Sequence, residues 1–197
     1  MLYHLSQFRD LWGAFNVFQY ITFRAGGAAL TSLAVSLLVG PALIAALRSR
    51  KVGQVQRADG PASHLSKHGT PTMGGLLIYV TLAVSTLLWM RPDNRFTWLL
   101  LGVATLLTAV GFCDDYLKLV RKDPKGISSR TKFAVQIVAG LGTALYLAVF
   151  PPNGAFATAI NVPYAKELFL DLGPLYFVLA ALMVVGASNA VNLTDGL

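Results

Sequence analysis

Charged residues are scarce in this sequence. Only 13% of its 197 residues are Asp, Glu, Lys or Arg, whereas 55% are hydrophobic. Soluble domains carry about 25% charged residues, so this composition excludes an ordinary soluble domain. We therefore expect an all-α, polytopic integral membrane protein.

Cysteine is nearly absent, and residues 1–24 do not resemble a secretory signal. Cys113 is the only cysteine, so an internal disulfide is excluded, and we interpret the residue as a small packing side chain. Residues 1–24 contain three charges and no small-residue cleavage site, which argues against a cleaved signal. The aromatic stretch 15–24 indicates an interfacial segment that leads into a membrane span.

Five long apolar runs have no ionisable residue in their interiors. A helix needs about 20 apolar residues to cross the hydrocarbon core of a bilayer. The sequence therefore predicts one transmembrane domain over residues 1–197. Its five spans are expected at about 25–47, 73–90, 96–113, 133–150 and 173–190. Gly26, Gly27 and Gly140 lie inside these runs and suit close contacts between helices.

Acidic residues are fewer than basic ones, and the basic residues are unevenly placed. The net charge is +7, and eleven of the sixteen Lys and Arg residues lie in the segments 48–72 and 114–132. Because Lys and Arg accumulate on the cytoplasmic side of membranes, we place these two loops and the tail 191–197 in the cytoplasm, with the N-terminus outside. This asymmetry explains the basic balance without a nucleic-acid partner.

Two adjacent acids follow the third apolar run, in "GFCDDYLK" (111–118). If the helix continues past residue 113, Asp114 and Asp115 lie four and three residues before Lys118 and can both reach it. Adjacent carboxylates repel and need a cation, a proton or full solvation. Oxygen ligands of this kind suit Mg²⁺, which typically takes one or two carboxylates together with substrate phosphates. A solvated helix end and a metal–phosphate site are both open interpretations.

Further polar motifs lie on the same predicted side of the membrane. In "SKHGTPTMGG" (66–75), Lys67 and Thr72 precede glycines that open the second span, where backbone N–H groups favour an anion. The alternative is a polar loop whose glycines serve helix packing. The motif is not a P-loop, because it lacks the GxxxxGK[ST] pattern.

The last span ends in polar residues, and the fourth begins with them. Asn189 and Asn192 share a helical face where lipid disfavours polar groups. They therefore either join helices or form hydrogen bonds with a base edge or sugar hydroxyls.

In "KGISSRTKF" (125–133), Ser128 or Ser129 can cap a helix. Lys132 follows as a topology anchor or a phosphate contact.

Taken together, these motifs resemble those of one enzyme family. The segments "RADGP", "KHGTPTMGG", "GFCDDYLK", "SSRTKF" and "NAVNLTDGL" are similar to motifs of bacterial phospho-N-acetylmuramoyl-pentapeptide-transferases. That family belongs to the polyprenyl-phosphate N-acetylhexosamine-1-phosphate transferase superfamily. The resemblance covers about residues 24–197, and "GTPTMGG" and "NLTDGL" are specific to the muramoyl-pentapeptide branch, whereas the aspartate pair is shared by the superfamily.

The resemblance implies a reaction of peptidoglycan synthesis, and hence of cell wall biogenesis, cell shape and cell division. Phospho-N-acetylmuramoyl-pentapeptide would move from UDP to undecaprenyl phosphate in a Mg²⁺-dependent step that gives lipid I and UMP. It implies a site on the cytoplasmic face of the bacterial inner membrane. The implied catalytic residues are Asp114, Asp115 and Asp195, and the implied metal ligands are Asp114 and Asp115. The implied substrate-binding residues are Lys67, Thr72, Lys118, Lys132, Asn189 and Asn192.

This chain is shorter than complete members of the family, and other functions are also considered. Complete members are expected to have about ten spans of about 20 residues each, so this chain corresponds to an N-terminal half, and activity is not assigned to it alone. A further active-site Asp and a His-rich loop are expected beyond Leu197. The alternatives are a sister transferase using UDP-N-acetylglucosamine, an ion-coupled membrane transporter and a non-catalytic scaffold. A covalent phospho-aspartate route and a homodimer are both left open.

Overall fold

A computed structural model describes most of the chain. The described residues are 1–49, 73–121, 126–151, 158–162, 164–165 and 168–195, and within them the side chains of Arg48, Arg121 and residues 191–195 are not described. The described part is mostly helical, as the composition predicts. It divides into two compact units, Met1–Gly126 and Ile127–Leu197.

Five α-helices follow two short 3₁₀-helices. The 3₁₀-helices are Leu2–Phe8 and Gly13–Gln19, and the α-helices are α1 (Ile21–Ser49), α2 (Gly74–Trp89), α3 (Arg95–Arg121), α4 (Ser129–Val149) and α5 (Leu175–Asp195). Each predicted span corresponds to one helix. Three of them have an apolar segment of sufficient length to cross a membrane, namely Ile21–Leu47, Arg95–Val120 and Ser129–Val149. The apolar segments Gly74–Trp89 and Leu175–Ala190 are shorter, so the number of five spans remains a prediction.

The third helix extends well beyond the predicted end of its span. The span was expected at about 96–113, and the helix runs on to Arg121, which is the continuation that the spacing of Asp114, Asp115 and Lys118 requires. No Gly or Pro occurs between Phe112 and Asp123, and the pairing of Asp114 with Lys118 four residues later favours the helical turn. Part of the predicted loop 114–132 is therefore helical.

A small β-hairpin between α4 and α5 was not predicted. Strand β1 (Ala159–Asn161) pairs antiparallel with β2 (Phe169–Asp171), with Ala159 opposite Asp171. At its base, Thr158 Oγ1 donates to Asp171 Oδ1 at 2.6 Å, and the N–H of Gly173 donates to the same oxygen at 3.0 Å. These hydrogen bonds, with that from Thr158 the larger cause, lower the pKa of Asp171 below its usual value. Strands of three residues are too short to show an alternating pattern.

The first unit packs α2 between α1 and α3. Trp89 at the end of α2 stacks on Phe18, and its Nε1 donates to Thr31 Oγ1 at 2.9 Å. Gly27 of α1 lies so close to the Trp89 ring that a Cβ would overlap it, which supports the predicted role of this glycine. On the other side, the hydroxyls of Tyr79 and Thr105 are 2.6 Å apart.

The second unit pairs α4 with α5. A Cβ on Gly140 would lie 2.8 Å from Ala181 Cα, so the two backbones approach as closely as they do only because residue 140 is glycine. Ala144, one turn further along α4, is fully buried. Small residues thus form the contact between these helices, as expected where lipid surrounds the large apolar side chains.

Candidate functional site

The carboxylate pair and Lys118 meet on the last turns of α3. Lys118 Nζ lies 2.7 Å from Asp114 Oδ2 and 3.9 Å from Asp115 Oδ1. The prediction that Lys118 reaches both acids is therefore confirmed. Its ammonium group offsets the repulsion between two adjacent negative charges, which would otherwise favour protonation of one acid.

The two acids differ in burial. The side chain of Asp114 is 8% exposed, whereas that of Asp115 is 30% exposed. A buried carboxylate must be paired to stay ionised, and the short contact with Lys118 supplies that partner for Asp114. Asp115 keeps the larger surface toward a ligand arriving from solvent.

Gly126 packs against Asp114, a contact that the motifs did not indicate. Its φ is +57°, in the left-handed region that favours glycine. A Cβ at this position would overlap Asp114 Oδ1 and would lie 2.9 Å from Lys118 Cε. Glycine is thus needed both for the backbone angle and for the close approach. The available signal was a glycine just before the start of α4.

The donor chemistry of the pair fits a magnesium ion. Mg²⁺ prefers oxygen ligands and commonly takes one or two carboxylates, with substrate phosphates and water completing its coordination. Among the described residues, no three His, Cys, Asp or Glu side chains gather. Asp115 is the better placed of the two for contact with an ion, because Asp114 faces Lys118 and Gly126.

A groove of about 530 Å³ lies between α4 and α5 in the second unit. Its polar lining includes Lys132, Gln136 and Asn189.

Ser128 caps α4 by accepting a hydrogen bond from the Thr131 N–H at 3.2 Å, which confirms one of the two predicted caps. The cap fixes the first turn of α4, which carries Lys132, one of the residues that line the groove.

Asn189 forms a contact between helices. Its Nδ2 donates to Gln136 Oε1 of α4 at 2.7 Å and to the carbonyl of Val185 at 2.8 Å. The helix-joining interpretation of Asn189 is thus confirmed, and its role in substrate binding stays a prediction. Gln136 itself was missed, although an amide inside an apolar span is a signal for a specific partner.

The remaining predicted site residues are only partly described. Lys67 and Thr72 lie outside the described residues. The backbone of α5 includes Asn192 and Asp195, whose side chains are not described. The structure therefore brings Asp114, Asp115 and Lys118 together in the first unit. In the second unit, it brings Lys132 and Asn189 to one groove.

Comparisons with known proteins agree with these features. Residues 97–197, just over half of the chain, match the model of glycosyl transferase family 4. Residues 67–78 match a signature described as phospho-N-acetylmuramoyl-pentapeptide-transferase signature 1. The whole chain is 51% identical, over 199 aligned residues, to a protein of Endomicrobium trichonymphae named phospho-N-acetylmuramoyl-pentapeptide-transferase. The alignment covers 55% of that relative, so the chain spans about half its length. The chain belongs to glycosyl transferase family 4.

Proposed function

We propose that the full-length protein transfers phospho-N-acetylmuramoyl-pentapeptide from UDP to undecaprenyl phosphate, releasing UMP and forming lipid I. The observation that carries the proposal is the aspartate pair held by Lys118 at the end of an apolar helix. The similarity to a transferase of this name over the whole chain supports the choice of substrates. The signature at residues 67–78 supports the muramoyl-pentapeptide branch over one using UDP-N-acetylglucosamine.

The position of the pair suits a reaction between a water-soluble and a lipid-borne substrate. The acids follow the apolar part of α3 and lie in a segment rich in Lys and Arg. Such segments face the cytoplasm, where a nucleotide-sugar is available, and the lipid phosphate lies at the same membrane surface. We therefore place the site on the cytoplasmic side of the bacterial inner membrane, with five spans and the N-terminus outside.

The side chains divide the work of phosphoryl transfer, which rests mainly on positioning and on charge neutralisation. Asp114 orients or deprotonates the lipid phosphate, whose oxygen attacks the β-phosphate of the nucleotide-sugar while the bond to UMP breaks. Lys118 keeps Asp114 ionised and adds positive charge beside the phosphates. A bound Mg²⁺, held by Asp115 with Asp114 nearby, would neutralise developing charge on the diphosphate.

The second unit contributes substrate contacts in this proposal. Lys132 in the lining of the groove supplies a cation for phosphate, and Asn189 supplies a polar contact to the nucleotide-sugar. Lys67, Thr72, Asn192 and Asp195 are assigned to the site by their motifs. A homodimer remains compatible with these assignments.

The substrate test is a transfer assay with purified full-length protein in detergent and undecaprenyl phosphate as acceptor. We expect UMP release with UDP-N-acetylmuramoyl-pentapeptide, at least about 100-fold faster than with UDP-N-acetylglucosamine, since a site built to bind polar groups rejects ligands that lack them. Removal of Mg²⁺ by a chelator should stop the reaction. Preference for UDP-N-acetylglucosamine would assign the protein to the sister branch, and no transfer from either donor would contradict the proposal.

A further inference from the structure

The orientation of the Asn189 amide is determined by hydrogen-bond chemistry. The carbonyl of Val185 can only accept, so the Asn189 atom 2.8 Å away must be the amide nitrogen. An amide nitrogen can only donate, so the Gln136 atom 2.7 Å from it must be the oxygen Oε1. The hydrogen-bond partners alone therefore determine which atom of each side-chain amide is nitrogen and which is oxygen.

This arrangement uses both hydrogens of Asn189 Nδ2. One is donated to the carbonyl of Val185 within α5 and the other to Gln136 of α4. Within the described side chains, the acceptor Oδ1 is then the polar atom of Asn189 that a ligand in the groove can contact. A ligand group that meets Asn189 must accordingly donate a hydrogen bond.

Burial separates the roles of the two amides. Gln136 is only 8% exposed, whereas Asn189 is half-buried, although both line the groove. A ligand can therefore contact Asn189 while Gln136 remains behind it. The close approach at Gly140 and Ala181 stabilises this pairing, because Gly140 lies one helical turn from Gln136 on the same face of α4.

We propose that Gln136 is a positioning residue that turns the Asn189 amide so that its oxygen alone faces the groove, and that the groove binds a hydroxyl or N–H donor of the nucleotide-sugar. This inference rests on the proposed function, in which Asn189 contacts that substrate. Gln136 acts only through Asn189 and does not contact the ligand. Replacing it leaves one N–H of Asn189 Nδ2 without its acceptor, so the Val185 carbonyl alone holds the amide and its oxygen is less firmly oriented toward the groove.

The test measures binding of UDP-N-acetylmuramoyl-pentapeptide to the full-length protein by calorimetry, without the lipid substrate. Gln136→Met keeps the side-chain length and removes the acceptor, and it should raise the Kd about tenfold, the size expected for a lost hydrogen bond. Asn189→Ala should weaken binding at least as much. The double variant should bind no more weakly than Asn189→Ala, because Gln136 acts through Asn189. In transfer assays, Gln136→Met should raise the KM for the nucleotide-sugar and leave the KM for undecaprenyl phosphate unchanged.

A matched control is Thr143→Val, which removes a hydroxyl that donates to the Ala139 carbonyl within α4. It should leave the Kd and both KM values at wild-type levels. Additive losses in the double variant would show direct contact by Gln136, and equal rises in both KM values would show a general structural role. Either result overturns the inference, as does an unchanged Kd in Gln136→Met. Wild-type protein that binds the nucleotide-sugar but transfers nothing contradicts the proposed function alone, and absence of binding contradicts both.

Discussion

The carboxylate of Asp114 is confined at each of its oxygens. Lys118 approaches Oδ2 at 2.7 Å, and the backbone of Gly126 packs against Oδ1. Burial to 8% exposure leaves this group little freedom to reorient. A carboxylate that must meet a substrate phosphate benefits from such restraint, because a misplacement of about 1 Å can cost about 100-fold in rate.

Gly126→Ala should disturb this arrangement directly. The added methyl group would overlap Asp114 Oδ1 and would have to occupy a left-handed backbone angle, which costs roughly 1 kcal/mol in itself. We expect the transfer rate of the full-length protein to fall about 100-fold. The measurement is UMP release at saturating substrates, with membrane insertion verified in parallel.

Gly102→Ala is the matched control for this prediction. Gly102 also lies in the first unit, within α3, but a Cβ there meets nothing within 4 Å. Alanine is favoured over glycine in helices, so this variant should retain the wild-type rate. A wild-type rate in Gly126→Ala would mean that the close approach of Gly126 does not position Asp114.

Helices were easier to predict from the sequence than their ends. Uninterrupted apolar runs indicated all five helices, because a bilayer requires long stretches without charge. The apolar run gave no end for α3, which continues two turns past residue 113, where Asp114 pairs with Lys118 after the apolar residues stop. Hydropathy marks where lipid ends, and helix propensity marks where the helix ends.

The hairpin gives a pH-dependent prediction. The pKa of Asp171 is lowered chiefly by the hydrogen bond from Thr158, so ionised Asp171 stabilises the base of the hairpin. A lowered folded-state pKa gives a contribution that is present above the unfolded value of 3.8 and is lost as the pH falls through the folded pKa. Thr158→Val should raise the pKa of Asp171 toward 3.8, as measured by carbon-13 NMR titration of its carboxyl group.

The N–H of Gly173 still donates to Asp171 in that variant, so the pKa should recover only part of the difference. Thr143→Val in α4 removes a hydroxyl remote in sequence from the hairpin and should leave the titration unchanged. An unaltered pKa in Thr158→Val would show that this hydrogen bond is not formed in solution.

Across the described residues, burial is reversed relative to a soluble protein. Leu38 and Ile21 are more than 70% exposed, whereas Thr81 and Ser85 are almost fully buried. Composition was sufficient to predict this pattern, because apolar side chains face lipid and small or polar ones face neighbouring helices. The contacts of Gly126 and Gln136 could not be predicted, since each depends on which two helices or turns meet in space. The individual motif residues could be identified from the sequence, but the distances between their side chains could not.

The charge asymmetry predicts how the molecule crosses the membrane. The turn 91–95 between α2 and α3 has only two basic residues, against eleven in the segments 48–72 and 114–132. In this turn the guanidinium of Arg91 pairs with Asp93. This hydrogen-bonded pair also lowers the pKa of Asp93. A reporter fused near residue 93 should therefore report the outer side of the membrane, and one fused near residue 125 should report the cytoplasm. A cytoplasmic signal near residue 93 would reverse the proposed topology.

The most direct test of the account is the transfer rate of the full-length protein carrying Asp114→Asn, which keeps the shape of the side chain and removes its charge. We expect the rate to fall about 100- to 1,000-fold, the loss typical of removing one essential electrostatic group, with membrane insertion retained. Asp93→Asn, in the turn predicted to lie outside, is the matched control and should keep the wild-type rate. A rate for Asp114→Asn within a few-fold of wild type would contradict the assignment of the carboxylate pair to the reaction.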